Sequence, residues 1–326
     1  MVRRMLGGMV LLLVLVGLRA PAGAVTTLRW GEVLPPDHPS VQMVERVARR
    51  VAEKTQGYLR IQAFPAGQLG TTRDQIENVI VGTQQLTTEG AAAISQFFPP
   101  LGALEAPYVW RDAAHLAKVM ASPIAKELTQ AFIDKRGVRI LAATYYGVRH
   151  LTTTRKPVRS AADLRGFKLR VPENEVFVAM ARAWGATPTP IPFGELYLAL
   201  RQNVVEGQEN PLPTIDAAKL YEVQKYLVLT GHILTPRLVL INERTWRALG
   251  RPFQTALTEA LEEAVAWHNQ EILNRERSLQ DKFRQLGMEV LQPDVESFRR
   301  PVLESLPRQF EAQWGPGLYQ RIANTR

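Results

Sequence analysis

The alternation of apolar and polar positions predicts strands and helices in turn over the first third of the chain. Residues 27–33 and 59–64 are predicted as strands, and between them the apolar positions from Ser40 onward fall on one face of a helix that ends at Gly57. A strand, a helix and a second strand in this order predict a parallel pair with a right-handed crossover. A capping-box match at residues 72–75 predicts that another helix begins there.

The middle of the chain repeats this alternation, whereas the part after Pro252 changes to one long helical pattern. The elements predicted in the middle are strands at residues 138–145 and 167–171 and helices at residues 176–184 and 196–201. From Phe253 to Leu286 the apolar side chains keep to one helical face without Pro or Gly, which predicts a helix of about 50 Å. A helix of that length exceeds one domain, so we expect it to run along two. A coiled coil, the alternative, would need a heptad phase that these positions do not hold.

Composition supports two domains and excludes several functional classes. A chain of 326 residues, 46% of them apolar, can form two cores, and its alternating elements make the fold class α/β. The absence of cysteine excludes disulfides, thiolate zinc sites and cysteine nucleophiles. Three basic residues and no acid lie in residues 1–24, so the formal charge of +9 falls to about +6 for the remainder. No block of like charges is left, and we expect no nucleic-acid partner.

Residues 1–24 have the three regions of a secretion signal. Arg3 and Arg4 are followed by an apolar stretch at residues 5–18 and by small residues that end at Ala24. The apolar stretch is too short for a membrane anchor, which needs about 20 residues. We therefore expect cleavage after Ala24 and a soluble protein in the periplasm.

The sequence contains no motif of the common catalytic classes. Its five histidines are not at metal-ligand spacing, so we expect no metal, no cofactor and no catalytic residue. The adjacent carboxylates of Glu262 and Glu263 cannot face each other on a helix, which favours a solvated helix surface over an acid–base pair.

One basic residue stands where a ligand would bind. Arg170 lies at the end of the predicted strand at residues 167–171, just before Pro172. In open α/β sheets, ligands bind beyond the carboxyl ends of the strands, so this guanidinium would project into a cleft. Its fork of donors matches a carboxylate in two parallel hydrogen bonds. A structural salt bridge is an equally good interpretation of this position by itself.

Several segments together carry a family resemblance. They are GFKLRVP at residues 166–172, FGELYLAL at 193–200, VVEGQENPL at 204–212, YEVQKY at 221–226, PAGQLG at 65–70 and APY at 106–108. In order and spacing they resemble the solute receptors of tripartite ATP-independent periplasmic (TRAP) transporters, the C4-dicarboxylate and sialic-acid receptor family. The resemblance covers nearly all of residues 27–315, and the combination of motifs is specific.

The resemblance implies a receptor that captures an organic acid and delivers it to the small and the large TRAP membrane subunits for secondary-transport uptake. It implies two α/β lobes with a ligand cleft between them and a long helix that braces both. Lobe I would contain residues 25–146 and 236–275, and lobe II residues 147–235 and 276–326. We expect a monomer without enzymatic activity.

The same resemblance implies which residues bind the ligand. Arg170 would pair with the ligand carboxylate, Arg149 would assist, and the amide of Asn210 would lie across the same group. Phe193, after the proline-rich connector, would cover the ligand. Two arginines and an amide at neighbouring strand ends would satisfy every lone pair of a carboxylate whose burial otherwise costs on the order of several kcal/mol.

The resemblance determines less about the far end of the ligand. Thr71 and Thr72 stand where many family members have an acid, and the small residues after Glu89 leave room. Glu89 would either accept a hydrogen bond from a ligand hydroxyl or face the solvent. Tyr146 and Trp30 are further candidates for the pocket wall, with a place in the core as the alternative.

Two other functional classes stay open at this point. A binding protein of an ATP-driven importer, or a signalling receptor for organic anions, would have a similar cleft. A periplasmic hydrolase or isomerase would need a base near the cleft, and no motif supplies one. The ligand classes that present a suitable carboxylate to Arg170 are C4-dicarboxylates, 2-oxo acids, sugar acids and aromatic acids.

Overall fold

The structure, a computed structural model, describes residues 25–326, so the predicted signal segment lies outside the described residues. The strands of this range are β1 (Thr26–Gly31), β2 (Leu59–Phe64), β3 (Leu86–Gly90), β4 (Val138–Thr153), β5 (Lys168–Val171), β6 (Thr187–Pro190), β7 (Gly207–Pro211), β8 (Tyr226–Asn242) and β9 (Glu289–Leu291). The helices are α1 (Pro39–Lys54), α2 (Thr72–Val81), α3 (Ala91–Ile94), α4 (Ala113–Ala121), α5 (Pro123–Arg136), α6 (Glu175–Ala183), α7 (Leu196–Arg201), α8 (Leu212–Ala217), α9 (Glu243–Gln285), α10 (Val295–Trp314) and α11 (Leu318–Ala323).

The strands form one sheet that has a parallel group at each end. Their order is β2-β1-β3-β8-β4-β7-β5-β6, with β9 paired to β8. β1 is parallel to β2 and β3, and β5 is parallel to β6 and β7. The long strands β4 and β8 run antiparallel between the two groups, and their register shifts at Tyr145/Gly147 and at Arg149/Leu151. Such irregularities bend a ladder, here at the middle of the sheet. The α/β class and the two-lobed architecture predicted from the sequence are confirmed.

Two helices have N-caps earlier than predicted, α1 by two residues relative to Ser40 and α2 by one residue relative to Thr72. The N-cap of α1 is His38, whose Nδ1 accepts a hydrogen bond from the backbone N–H of Ser40 at 3.0 Å. The Ser40 hydroxyl is instead 3.1 Å from Nε2 of the buried His268, which connects α1 to α9. The N-cap of α2 is Thr71, which forms a reciprocal capping box with Asp74. Both helices were predicted correctly, and only the identity of the cap was wrong.

The long helix expected after Pro252 is present as the main part of α9. Gly250 adopts φ 71° and ψ 162°, which breaks the helical backbone, and Pro252 lies at the start of the segment that follows. Near one end of this segment Glu259 pairs with Lys54 of α1, and near the other end Lys282 pairs with Asp216 of α8, both at 2.6 Å. The helix therefore braces elements from both ends of the sheet, as predicted.

Two apolar clusters position the sheet. One lies between β1, β2 and the helices α1 and α9, with Leu28 and Trp30 at its centre. The larger one extends from the segment at Pro99–Glu105 across β5 and α6 to α10. Within residues 25–326, none of the helices combines the length and the apolar character that crossing a membrane requires.

Candidate functional site

A cavity of about 100 Å³ lies at the middle of the sheet, between the two parallel groups. Six of the seven residues predicted from the sequence line it: Arg170, Asn210, Arg149, Phe193, Glu89 and Tyr146. Its wall also includes polar residues that the sequence did not single out: Glu105, Thr235, Arg237, Arg73, Glu173 and Asn174. The cavity therefore collects side chains from β3, β4, β5, β7 and β8.

Arg170 is a buried cation without a counter-ion in the described part of the chain. It is 2% exposed, and its Nε and Nη2 both donate to the carbonyl oxygen of Ile191, at 2.9 and 2.6 Å. Within residues 25–326 no carboxylate lies within ion-pair distance of its guanidinium. Burial and, to a smaller extent, the nearby Arg149 lower the pKa of Arg170 to about 10, against the opposing effect of Glu209. Such a group can gain much from an anionic ligand.

Arg149, by contrast, already has a carboxylate partner. Its Nη2 donates to Oε1 of Glu209 at 2.7 Å, and its guanidinium lies 4.9 Å from the centre of the Phe177 ring. His232 Nε2 lies 2.9 Å from Oε2 of the same carboxylate. Burial alone would raise the pKa of Glu209, but Arg149 and His232 hold it below its ordinary value. Arg149 therefore contributes donors to the cavity wall while its charge is largely balanced within the protein.

Asn210 lies beside Arg149 because β7 pairs with β4. The antiparallel register places Asn210 opposite His150 and Pro211 opposite Arg149. The Asn210 Oδ1 accepts from Arg149 Nη2 at 3.1 Å, and its Nδ2 donates to Oε1 of Gln208. An amide nitrogen has two hydrogens, so one donor of Asn210 is left for a molecule in the cavity.

The three aromatic residues predicted for the pocket have different positions. Phe193 is half-buried in the wall, directly after the proline-rich connector. Tyr146 is buried, its ring centre is 5.2 Å from the guanidinium of Arg237, and its hydroxyl accepts from Thr214 at 2.6 Å. Trp30 is outside the cavity, which corrects the prediction. It packs in the cluster between β1 and α1, and its indole N–H donates to Thr88 Oγ1 at 3.0 Å.

Glu89 faces the cavity from β3, next to a second buried ion pair. Arg237 Nη1 donates to Glu32 Oε2 at 3.0 Å, and its Nη2 also lies 3.6 Å from Glu89 Oε2. The Thr72 hydroxyl donates to the same Glu89 oxygen at 3.2 Å. Burial raises the pKa of Glu89 to about 8 in spite of the opposing charge of Arg237. The alternative that Glu89 faces the solvent is wrong, since it is 2% exposed.

Glu105 and Thr235 complete this side of the wall. Glu105 Oε2 accepts from the backbone N–H of Ala92 at 2.7 Å, and burial raises the pKa of Glu105 to about 7. The Thr235 hydroxyl is buried beside the Glu105 carboxyl, whose pKa it lowers against the effect of burial, but it forms no hydrogen bond of good geometry within residues 25–326. A buried hydroxyl without a partner costs free energy in the empty protein, and a polar ligand atom would remove that cost.

Sequence reasoning missed Arg237, Glu105 and Thr235 because none of them belongs to a recognisable motif. A signal was available for Arg237, which is the only charged residue of β8 (Tyr226–Asn242). A charged residue in such an apolar strand is seldom buried without a partner or a function. Among the described residues, no group of three or more metal-ligating side chains is assembled at the cavity or elsewhere.

We predict that Glu89 makes the stability of the protein depend on pH. A carboxyl whose pKa rises from 4.5 in the unfolded chain to about 8 stabilises the fold fully below pH 4.5, and this contribution is lost as the pH rises through 8. Between pH 5 and pH 9 the free energy of unfolding should therefore fall by about 4 kcal/mol less in Glu89→Gln than in the wild type. Urea denaturation at both pH values measures this, with the exposed Glu262→Gln as control. Equal pH dependence in the wild type and Glu89→Gln would contradict it.

Comparison with known proteins shows what the chain is similar to. The profile of the family described as "Bacterial extracellular solute-binding protein, family 7" matches residues 30–313. The chain is 33% identical over 304 residues to the sialic acid-binding periplasmic protein SiaP of Vibrio cholerae, covering 93% of this chain and 94% of that protein.

Solved structures show the same similarity. The crystal structure of a TRAP periplasmic solute binding protein from Polaromonas sp. JS666 bound to D-erythronate superposes with a TM-score of 0.87 at 32% identity, covering 92% of this chain and 99% of that one. A TRAP periplasmic solute binding protein from Xanthobacter autotrophicus Py2 with bound β-D-galacturonate gives a TM-score of 0.85 at 29% identity, covering 92% and 100%.

Proposed function

Because the chain belongs to the bacterial extracellular solute-binding proteins of family 7, we propose that it captures an organic acid by its carboxylate and delivers it to the small and large membrane subunits of a TRAP transporter. The family predicted from the sequence is confirmed, and it places the chain in the periplasm. The family consists of transport receptors without catalytic activity. We extend this to the present chain, which we propose binds its ligand without changing it.

The observation that carries this proposal is the buried charge of Arg170. The bidentate pairs of Arg149 and Arg237 are each with a carboxylate, whereas the guanidinium of Arg170 bonds a single carbonyl oxygen. A carboxylate in the cavity would supply the missing anion and could accept two parallel hydrogen bonds. The relatives with bound D-erythronate and β-D-galacturonate hold ligands that carry one such carboxylate.

Each of the other predicted side chains receives a role in this proposal. Arg149 and Asn210 direct N–H donors at the same carboxylate as Arg170, which satisfies its remaining lone pairs. Phe193 and Tyr146 cover the carbon chain of the ligand and exclude water, which strengthens the hydrogen bonds inside. Glu89 accepts from the far end of the ligand.

Thermal unfolding in the presence of organic acids tests the proposal. A ligand that binds only the native state raises its stability by RT ln(1 + [L]/Kd), about 2.7 kcal/mol at a hundred times Kd. We expect one class of acids to raise the midpoint, and the corresponding amides and alcohols to leave it unchanged. A midpoint that responds only to neutral or cationic solutes would overturn the proposal. Recovery of a chemically altered ligand after incubation would instead support a hydrolase or isomerase.

We further propose that the two lobes have the boundaries expected from the sequence, with lobe I at residues 25–146 and 236–275 and lobe II at residues 147–235 and 276–326. The long strands β4 and β8 then cross between the lobes where their ladder is irregular. A ligand that contacts Arg170 on one side and Glu89 on the other would bind the closed form more tightly than an open one. It would therefore shift the population toward closure.

Ligand binding is accordingly expected to shorten the distance between the lobes. Because the chain has no cysteine, spin labels can be attached at Glu77→Cys in α2 and Glu195→Cys before α7, both exposed positions. The distance between these labels should fall when the acid saturates the protein. A control pair within lobe II, Glu195→Cys with Lys225→Cys, should not change. Constant distances for both pairs would contradict closure and leave the binding proposal intact.

A further inference from the structure

The side of the cavity formed by β3 and the segments packed on it is rich in hydrogen-bond acceptors. Glu89 lines it from the strand itself, and Glu105 approaches so closely that a side-chain carbon on Gly90 would lie 2.9 Å from Glu105 Oε2. Oε2 of Glu105 accepts from the backbone N–H of Ala92, and the Thr235 hydroxyl lies beside the same carboxyl without a hydrogen bond of good geometry within residues 25–326. The glycine therefore gives Glu105 access to the cavity edge, with its second oxygen available to a donor.

The cation on this side is already neutralised. Arg237 donates to both carboxylate oxygens of Glu32 and to the carbonyl oxygen of Thr88, and the carboxyl of Glu89 is its second acidic neighbour. Two carboxylates thus surround one guanidinium, whereas Arg170 has none within the described residues. The two ends of the cavity therefore differ in charge. The guanidinium of Arg170 lacks an anionic partner among the described residues, whereas the guanidinium of Arg237 on the β3 side already has one.

Thr235 gives a second indication that a polar ligand atom belongs here. Its hydroxyl is 1% exposed and lines the cavity beside Glu105, without a hydrogen bond of good geometry among the described residues. A ligand hydroxyl can donate to a carboxylate oxygen and accept from a threonine hydroxyl, so it suits both Glu105 and Thr235. A ligand carboxylate can only accept, and beside Glu89 and Glu105, whose pKa burial already raises, its negative charge could be held only if one of these carboxyls took up a proton, which costs free energy above pH 7.

Resting on the proposed function, we infer that this receptor takes hydroxylated monocarboxylates and rejects dicarboxylates, because Glu89, Glu105 and Thr235 bind the hydroxyls of an acid anchored at Arg170. Glu89 and Glu105 accept from hydroxyls, and Thr235 donates to one of them. The structural relative with bound D-erythronate holds a ligand of this class. Arg170 recognises the class of acid, and the β3 side distinguishes among its members.

Calorimetry with acids matched in chain length tests the inference. At four carbons the ligands are erythronate, butyrate and succinate, and at six carbons gluconate, hexanoate and adipate, all titrated at pH 8. The comparison is made at the chain length whose acids bind more tightly. There the affinity for the hydroxylated acid should be at least about tenfold higher than for the plain acid and the dicarboxylate, because a site built to hydrogen-bond hydroxyls discriminates against analogues without them. A dicarboxylate or a plain acid that binds as tightly as the hydroxylated acid would overturn the inference and leave the proposed function standing. If none of the six binds, the inference is overturned, and the thermal screen of organic acids decides the proposed function separately.

Two variants identify the residues responsible. Thr235→Val keeps the shape of the side chain and removes a hydroxyl that forms no hydrogen bond of good geometry in the described protein, so the fold should tolerate it. The affinity for the hydroxylated acid should fall about threefold or more, and the affinity for the plain acid should not change. Glu89→Gln should reduce the difference in affinity between the hydroxylated acid and the dicarboxylate. The exposed Glu259→Gln should leave both affinities unchanged. Equal losses for hydroxylated and plain acids in Thr235→Val would show a packing effect and overturn the assignment of Thr235.

Discussion

Replacing Arg170 with Met should lower the affinity for the acid at least about a hundredfold, because the buried carboxylate then loses its charged partner. The same change should leave the ligand-free protein no less stable. Burial lowers the pKa of Arg170, which means that holding its charge inside the fold costs free energy, and the apolar side chain removes that cost. The hydrogen bonds to Ile191 that are lost act in the opposite direction. Calorimetry and urea denaturation measure the two effects separately.

Arg170→Lys separates the geometry of the guanidinium from its charge. Lysine keeps the positive charge but lacks the planar fork, so affinity should fall by more than about tenfold. The control is Arg139→Lys, which removes a bidentate pair with Glu243 at a distance from the cavity and should leave affinity unchanged. Unaltered affinity in Arg170→Lys would refute the assignment of Arg170 as the carboxylate anchor, even if Arg170→Met did not fold.

Glu209→Ala is expected to destabilise the fold by about 3–5 kcal/mol, because it leaves the buried cation of Arg149 without its partner. His232 and Arg149 both bond the Glu209 carboxylate, so its removal also leaves their donors unsatisfied. Since the pKa of Glu209 is lowered in the folded state, its contribution is present above its unfolded pKa and is lost as the pH falls through the folded value. The difference between wild type and variant should therefore shrink in acid, as urea denaturation would show.

A surface pair provides the contrast for this prediction. Glu259 pairs with Lys54 at 2.6 Å, but its side chain is 51% exposed, so Glu259→Ala should cost at most about 1 kcal/mol. The double variant Arg149→Met with Glu209→Leu should recover much of the stability lost in Glu209→Ala, since apolar replacement of a whole buried pair removes the isolated charge. Equal, small losses for Glu209→Ala and Glu259→Ala would mean that the buried pair does not carry the stability that its burial indicates.

Local pattern was a good guide to the elements and to the strand ends of the site. Residues 59–64 and 196–201 form the predicted strand and helix with the predicted bounds. Arg170 lies at the edge of the cavity because a strand that ends in Pro172 places its last side chains beyond the sheet. These features depend on residues that are close in sequence, and periodicity and turn chemistry report on such residues directly.

The error at Trp30 has a structural cause. Side chains alternate across a strand, so Trp30 shares a face of β1 with Leu28, and α1 covers that face. Both Leu28 and Trp30 are buried there, away from the cavity. The opposite face of β1 carries the exposed Thr27 and Arg29, so the alternation itself places Trp30 with Leu28 on the buried face. The sequence does not tell whether a helix or the ligand covers that face, because either would bury an aromatic side chain.

The sequence by itself determined the α/β class, the succession of strands and helices, the bracing helix and the motif arginine at a strand end. Only the tertiary structure decided which charges balance one another. Arg149 and Arg170 look alike in the sequence, yet pairing of β4 with β7 gives Arg149 a carboxylate, while no described residue gives one to Arg170. Thr235 and Arg237 reach the cavity through the pairing of β8 with β3 and β4, and Glu105 reaches it through its hydrogen bond to Ala92 at the start of α3. The free energy of a buried charge depends on neighbours brought together by folding, and these neighbours have no fixed spacing in the sequence.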